Sequence, residues 1–118
     1  MSMRKISLYI KDILENMEKA ERFIMNMDFA ALKDDDKTSY AIIRCMEIIG
    51  EATKNVPDNI RQKYPSIPWR DMAGMRDKLI HSYFGLNIEK ILLVVKDDIP
   101  HIKPDLIKVL RDLESAGS

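Results

Sequence analysis

Apolar residues in this chain recur at spacings of three and four, and nowhere alternate over a run bounded by turn signals. That single pattern restricts the fold to packed amphipathic helices. From Arg4 to Met27 the stripe is Ile6, Ile10, Ile13, Leu14, Met17, Ala20 or Glu21, then Ile24. Glycine, the residue that punctuates strands and hairpins, occurs only four times. The triplet Asp34-Asp35-Asp36 reads as a loop, with Asp36 as N-cap of a second helix from about Lys37 to Asn55, stopped by Pro57. Asp58 is placed to cap a short helix through Gln62. Between Tyr64 and Trp69 two prolines exclude regular structure. Pro68 suits the first turn of a third helix, from about Trp69 to Phe84 and ended near Gly85. A fourth helix is expected from Ile88 to Asp98, broken by Pro100, and a last one from about Pro104 to Leu113. The reading is all-α: one antiparallel bundle of four to five helices over residues 1–114, with 115–118 as a frayed tail.

A chain of 118 residues holds one ordinary domain, and 46% hydrophobic residues are enough for a core. Nineteen basic side chains balance nineteen acidic ones. That balance excludes a polybasic nucleic-acid coat, whose affinity comes from phosphate neutralisation, but leaves room for a small basic cleft. Cys45 has no second cysteine to pair with and reads as a small buried residue. Charges every few residues in MSMRKISLYIKDILENMEK break any signal-peptide core or membrane span, so a cytoplasmic protein is expected. No metal or other cofactor is implied. Asp34 to Asp36 lack the spacing of a calcium loop, and His81 and His101 stand twenty residues apart without a cysteine pair. The eight methionines read as packing.

The third helix is where the pattern becomes informative. On a wheel of 100° per residue, Met72, Leu79, Ile80 and Tyr83 all fall within about 60° of Arg76. An arginine therefore sits in an apolar stripe, where it requires a carboxylate, a phosphate or solvent. His81 lies about 140° away on the same wheel, so a composite site across a dimer seam is one way to bring the two together. The second helix offers partners. Tyr40, Arg44, Glu47, Glu51 and Lys54 form one polar stripe, in which Glu47 and Glu51 are a like-charge pair that calls for a cation. Gly50 in that helix costs about 1 kcal/mol and admits a close neighbour.

These residues support two readings. In one, a buried pair of Arg76 with Glu51 or Glu47 merely orders the bundle, and Tyr83 is core with its hydroxyl satisfied by Glu47 or Glu51. In the other, Arg76, His81 and Tyr83 line a phosphate-handling cleft. Histidine titrates where neutral-pH proton transfer needs it, and a guanidinium fork matches a phosphate. Trp69 reads as a plug at the helix start, with base stacking as the alternative, and His101 as an exposed residue. Arg61, Lys63, Arg70 and Lys78 are either a basic rim or ordinary surface charge.

Arg76-x4-His81-x-Tyr83 resembles the R-x4–6-H motif of the HEPN superfamily. The flanking Ile49-Gly50-Glu51-Ala52, Tyr64-Pro65, Ile67-Pro68-Trp69, Gly74-Met75-Arg76-Asp77 and Leu79-Ile80-His81 look like its HepT branch, over roughly residues 4 to 113. The resemblance implies an all-α homodimer whose motif segments meet at a cleft, acting as a metal-independent ribonuclease toxin. Arg76 and His81 would then be catalytic, with Glu47, Glu51 and Asp77 in support. It further implies an MntA-type nucleotidyltransferase antitoxin that moves AMP from ATP onto Tyr83. Ser82 and Asn87 stand where relatives often carry acidic residues. A different class is also open: a non-catalytic HEPN subunit that binds nucleotide or substrate and docks a nucleotidyltransferase.

Overall fold

Helix α1 spans Met3–Ile24, started by Ser2, whose hydroxyl accepts the Lys5 amide at 3.2 Å. Its stripe of Ile6, Ile10, Ile13, Met17, Ala20 and Ile24 is buried to within a few per cent, as the periodicity requires. A computed structural model describes residues 1–81 and 85–117 of the chain. Beyond Asn26, which turns the chain at φ 64°, a one-turn helix α2 forms at Phe29–Lys33, capped by Asp28. Then comes α3, Asp36–Lys54. Its cap is Asp35 rather than Asp36. The Asp35 carboxylate takes the Thr38 amide at 2.9 Å and the Thr38 hydroxyl at 2.7 Å, which holds its pKa below the usual carboxylate value.

Helix α4, Asp58–Lys63, starts at Pro57 without a side-chain cap, so Asp58 occupies its first turn instead of capping it. The loop that follows is tied down by Trp69. This buried residue opens α5 and donates its indole N–H to the Tyr64 carbonyl at 3.0 Å. Burial settles its role as a plug and removes it from base stacking.

The expected single helix from Trp69 to Phe84 does not form. The chain makes α5, Trp69–Ala73, breaks at Gly74, makes α6, Met75–Lys78, and then leaves helical geometry at Leu79. Strand β1, Ile80–His81, pairs antiparallel with β2, Gly85–Leu86, in the register Ile80 to Leu86 and His81 to Gly85. The Asn87 amide closes the hairpin on the Leu79 carbonyl at 2.8 Å. Gly85, at φ 77°, is the left-handed residue that lets β2 begin. Met72, Met75 and Leu79 are buried, so the apolar spacing persists while the backbone changes from helix to hairpin.

Helix α7, Ile88–Leu93, is capped by the Asn87 side chain, which accepts the Lys90 amide at 3.1 Å. A π-helical turn over Val94–Asp98 then runs directly into α8, Ile99–Gly117. Pro100 therefore does not end a helix. A proline ring clashes with the carbonyl four residues back, and the widened turn opens the ladder just before it. Pro104 lies inside α8 at the loss of one ladder bond, and the helix extends to Gly117. The core sits where α1 packs between α3 and α8. Helices α5 and α6 lie on α3, which sets the motif segment against the polar stripe of that helix. The architecture is all-α apart from the two-residue pairing. Among the described residues, no helix is long and apolar enough to cross a membrane.

Candidate functional site

Gly50 brings the two halves of the site together. A Cβ built on it would stand 2.9 Å from the Ala73 carbonyl oxygen, closer than real side chains approach. Only a bare glycine lets the end of α5 lie this near α3, and Arg76 follows Ala73 by three residues.

Arg76 emerges from α6 at the surface, not in a buried stripe. Its Nε lies 3.5 Å from Glu47 Oε2, and its Nη1 donates to Asp77 Oδ1 at 3.3 Å. Nearly half of the Arg76 side chain is accessible (47%), as is 39% of Glu47. Exposed pairs of this kind contribute about 0–1 kcal/mol, so the carboxylates orient the guanidinium more than they stabilise the fold. A guanidinium carries five N–H donors, and these two contacts leave the rest for an anion. Glu51 is not part of the pair. It lies 3.5 Å from Lys54 on its own helix, both well exposed. The polar stripe of α3 is otherwise as expected: Tyr40, Arg44, Glu51 and Lys54 are exposed and Glu47 is half-buried.

These residues share an open groove of about 120 Å³, lined by Arg44, Glu47, Gly50, Glu51, Arg76 and Asp77 among others. Glu47, Glu51 and Asp77 all line this groove with Arg76, but only Glu47 and Asp77 contact that arginine. His81 is described by its backbone, which forms β1 and pairs with Gly85. Tyr83, with Ser82, lies outside the described residues. Because Arg76 is helical and His81 is in extended chain, the 140° wheel separation between them does not apply.

The supposed basic rim is largely engaged. Arg61 donates to the carbonyls of Thr53 at 2.8 Å and Val56 at 3.1 Å, closing the C-terminus of α3. Lys78 pairs with Asp71 at 2.8 Å, which holds the Asp71 carboxyl below its usual pKa. Lys63 lies over the Tyr64 ring. A larger groove of about 600 Å³ is lined by Met72, Met75, Val94 and Ile102 with Asp71 and His101, and Arg76 is not among its described lining residues. Among the described residues, no three His, Cys, Asp or Glu side chains gather as a metal site.

The profile of the family described as Ribonuclease HepT-like matches residues 13–111, from within α1 to within α8, and takes in Arg76, His81 and Tyr83. The chain belongs to the HepT-like ribonuclease family. Membership makes it a ribonuclease by enzyme class. It is 48% identical over 95 residues to "Probable ribonuclease HepT" of Thermococcus cleftensis, covering 80% of this chain and 86% of that one. It is 43% identical over 114 residues to "Putative RNase MJ1216" of Methanocaldococcus jannaschii, covering 97% and 94% of the two chains. A second protein of that organism, "Putative RNase MJ0125", is 44% identical over 114 residues, covering 97% and 98%. No solved structure matches. The Arg76 groove also holds a residue to which the sequence pattern gave no role. Arg44 shares that groove, and its only sequence signal was its position one turn before Glu47.

Proposed function

We propose that this HepT-like ribonuclease is a metal-independent endoribonuclease toxin, with Arg76 and His81 as its catalytic pair. The observation that supports this reading is Arg76, held between Glu47 and Asp77 at an open groove with N–H donors to spare, five residues before His81. Arg76 binds the scissile phosphate and stabilises the charge that builds on it in the pentavalent state. The RNA 2′-hydroxyl loses its proton and its oxygen bonds to phosphorus. The bond from phosphorus to the 5′ oxygen breaks, and that oxygen takes up a proton. His81 serves as the proton carrier, and in a homodimeric composite cleft two copies of it divide the acid and base roles. The products are a 2′,3′-cyclic phosphate and a 5′-hydroxyl end.

Silencing follows from Tyr83. An MntA-type nucleotidyltransferase presents ATP, the phenolic oxygen attacks the α-phosphorus, and pyrophosphate leaves. The tyrosyl-AMP then places a phosphate where the RNA phosphate would bind. The reading is tested by incubating purified protein with RNA in excess EDTA. Cleavage should persist with the chelator and disappear in Arg76→Ala and His81→Ala. Cleavage equal to wild type in both variants would refute the assignment. RNA or nucleotide binding with no cleavage by the wild type would favour the non-catalytic subunit instead. Co-expression with the antitoxin should add mass in units of AMP at Tyr83.

A further inference from the structure

Arg44, Lys54 and Arg76 match Glu47, Glu51 and Asp77 in number along the Arg76 groove, but the contacts are not shared evenly. Glu47 and Asp77 are both taken up by Arg76, and Glu51 by Lys54. That accounts for every carboxylate lining the groove. Arg44 also lines it, is exposed, and has no ion-pair or hydrogen-bond partner for its side chain among the described residues. It stands on α3 one turn before Glu47, about 4.5 Å along the axis. The carboxylate that orients Arg76 is therefore the next residue along the same face. A guanidinium with no partner among the described residues, beside acids that already contact other cations, is open to an anion, and its planar fork fits a phosphate oxygen pair.

We propose that Arg44 is a second phosphate-binding site, which takes a backbone phosphodiester flanking the one held by Arg76. This rests on the ribonuclease reading of the Arg76 groove and extends it along α3. The chemistry is that of a monoanionic phosphodiester, recognised without reference to base or sugar. Arg44 touches no reacting atom. It therefore contributes affinity equally to ground and transition states, which raises KM when lost and leaves kcat alone.

The test uses a single-stranded RNA oligonucleotide and a DNA oligonucleotide of the same sequence, which lacks the 2′-hydroxyl and is bound without being cut. Arg44→Ala should weaken binding of both roughly tenfold and raise KM by the same factor, with kcat unchanged. The slope of log affinity against log salt should become shallower by about 0.7, the value for one phosphate contact on a single strand. Arg44→Lys should keep the slope while recovering only part of the affinity. A melting temperature equal to wild type confirms that the variant is folded. Unchanged affinity and salt slope in Arg44→Ala, in a protein whose activity is abolished by Arg76→Ala, would overturn the Arg44 assignment alone. A wild-type chain that neither binds nor cuts RNA would overturn the ribonuclease reading, and this proposal with it.

Discussion

Substituting Gly50 by alanine isolates the contact that sets the motif segment on α3. At an open helical position the change stabilises by about 1 kcal/mol, since alanine has the better propensity and less chain entropy to lose. Here the added methyl would lie 2.9 Å from the Ala73 carbonyl oxygen, about half an ångström inside ordinary contact, and 3.7 Å from the Met72 carbonyl oxygen. Backbone atoms cannot rotate away as a side-chain tip does, so the end of α5 must move. Overpacking of this kind costs about 1–3 kcal/mol. Set against the propensity gain, the net loss is roughly 0–2 kcal/mol, or a fall in Tm of up to about 8 °C for a domain of this size. Activity should suffer more than stability. A shift of about half an ångström passes through Ala73 to Arg76, and if misplacement by 1 Å costs about a hundredfold, kcat falls about tenfold. Thermal denaturation and RNA cleavage measured on the same preparation give both numbers. A Gly50→Ala protein that melts higher than wild type and cleaves at full rate would show that the close approach does not govern the site.

Glu47→Gln keeps the shape of the side chain but removes the charge that orients Arg76. Cleavage should drop several-fold with little change in melting temperature, as expected of an exposed pair, and an unaltered rate would remove Glu47 from the site. Tyr64 donates its hydroxyl to Asp112 at 2.7 Å, and desolvation followed by that hydrogen bond pushes its pKa up to about 12. A raised folded pKa favours the neutral phenol, so this contribution is complete below the unfolded value near 10 and is lost as pH rises towards 12. Urea titrations between pH 9 and 12 should show that loss in wild type and a flatter profile in Tyr64→Phe; parallel curves would exclude it. Burial raises the Cys45 thiol pKa, so iodoacetamide at pH 8 should label it only after denaturant is added. Labelling of the native protein would contradict its burial.

Helices α1 and α3 were readable because each carries a long unbroken stripe, and a stripe of five turns leaves little else for the chain to do. The α3 cap differed by one residue because three successive aspartates offer the same chemistry, and only the Thr38 contacts choose among them. Helix α2 was missed because a single turn has too few residues to show a period. The segment after Trp69 misled for the opposite reason. Met72, Met75 and Leu79 keep helical spacing across a break at Gly74 and into a hairpin, since all three need only reach the same core. The two prolines of α8 carry the usual weight of a helix stop, and nothing in the local sequence signals a π-helical turn that relieves the first of them. At the site, the spacing on α3 offered Glu47 and Glu51 alike as partners of Arg76, and only the structure chooses Glu47. That the pair would be exposed was not, because exposure depends on where α6 ends. Arg44, without a partner among the described residues, became visible only once its neighbours had been paired off.

The hand-over from α6 to β1 at Leu79 changes what the length of the motif spacer means. Within one helix, each added residue would swing the second side chain by about 100° about the axis, so that spacers of four, five and six would set it about 140°, 120° and 20° from the first. In this chain the spacer crosses a turn that belongs to neither helix nor ladder. That turn stands between α6, seated on α3, and the pairing of His81 with Gly85, so an inserted residue there is expected to lengthen the connector before it disturbs either. The distance between Arg76 and His81 along the chain is thus set by a turn and not by helical phase.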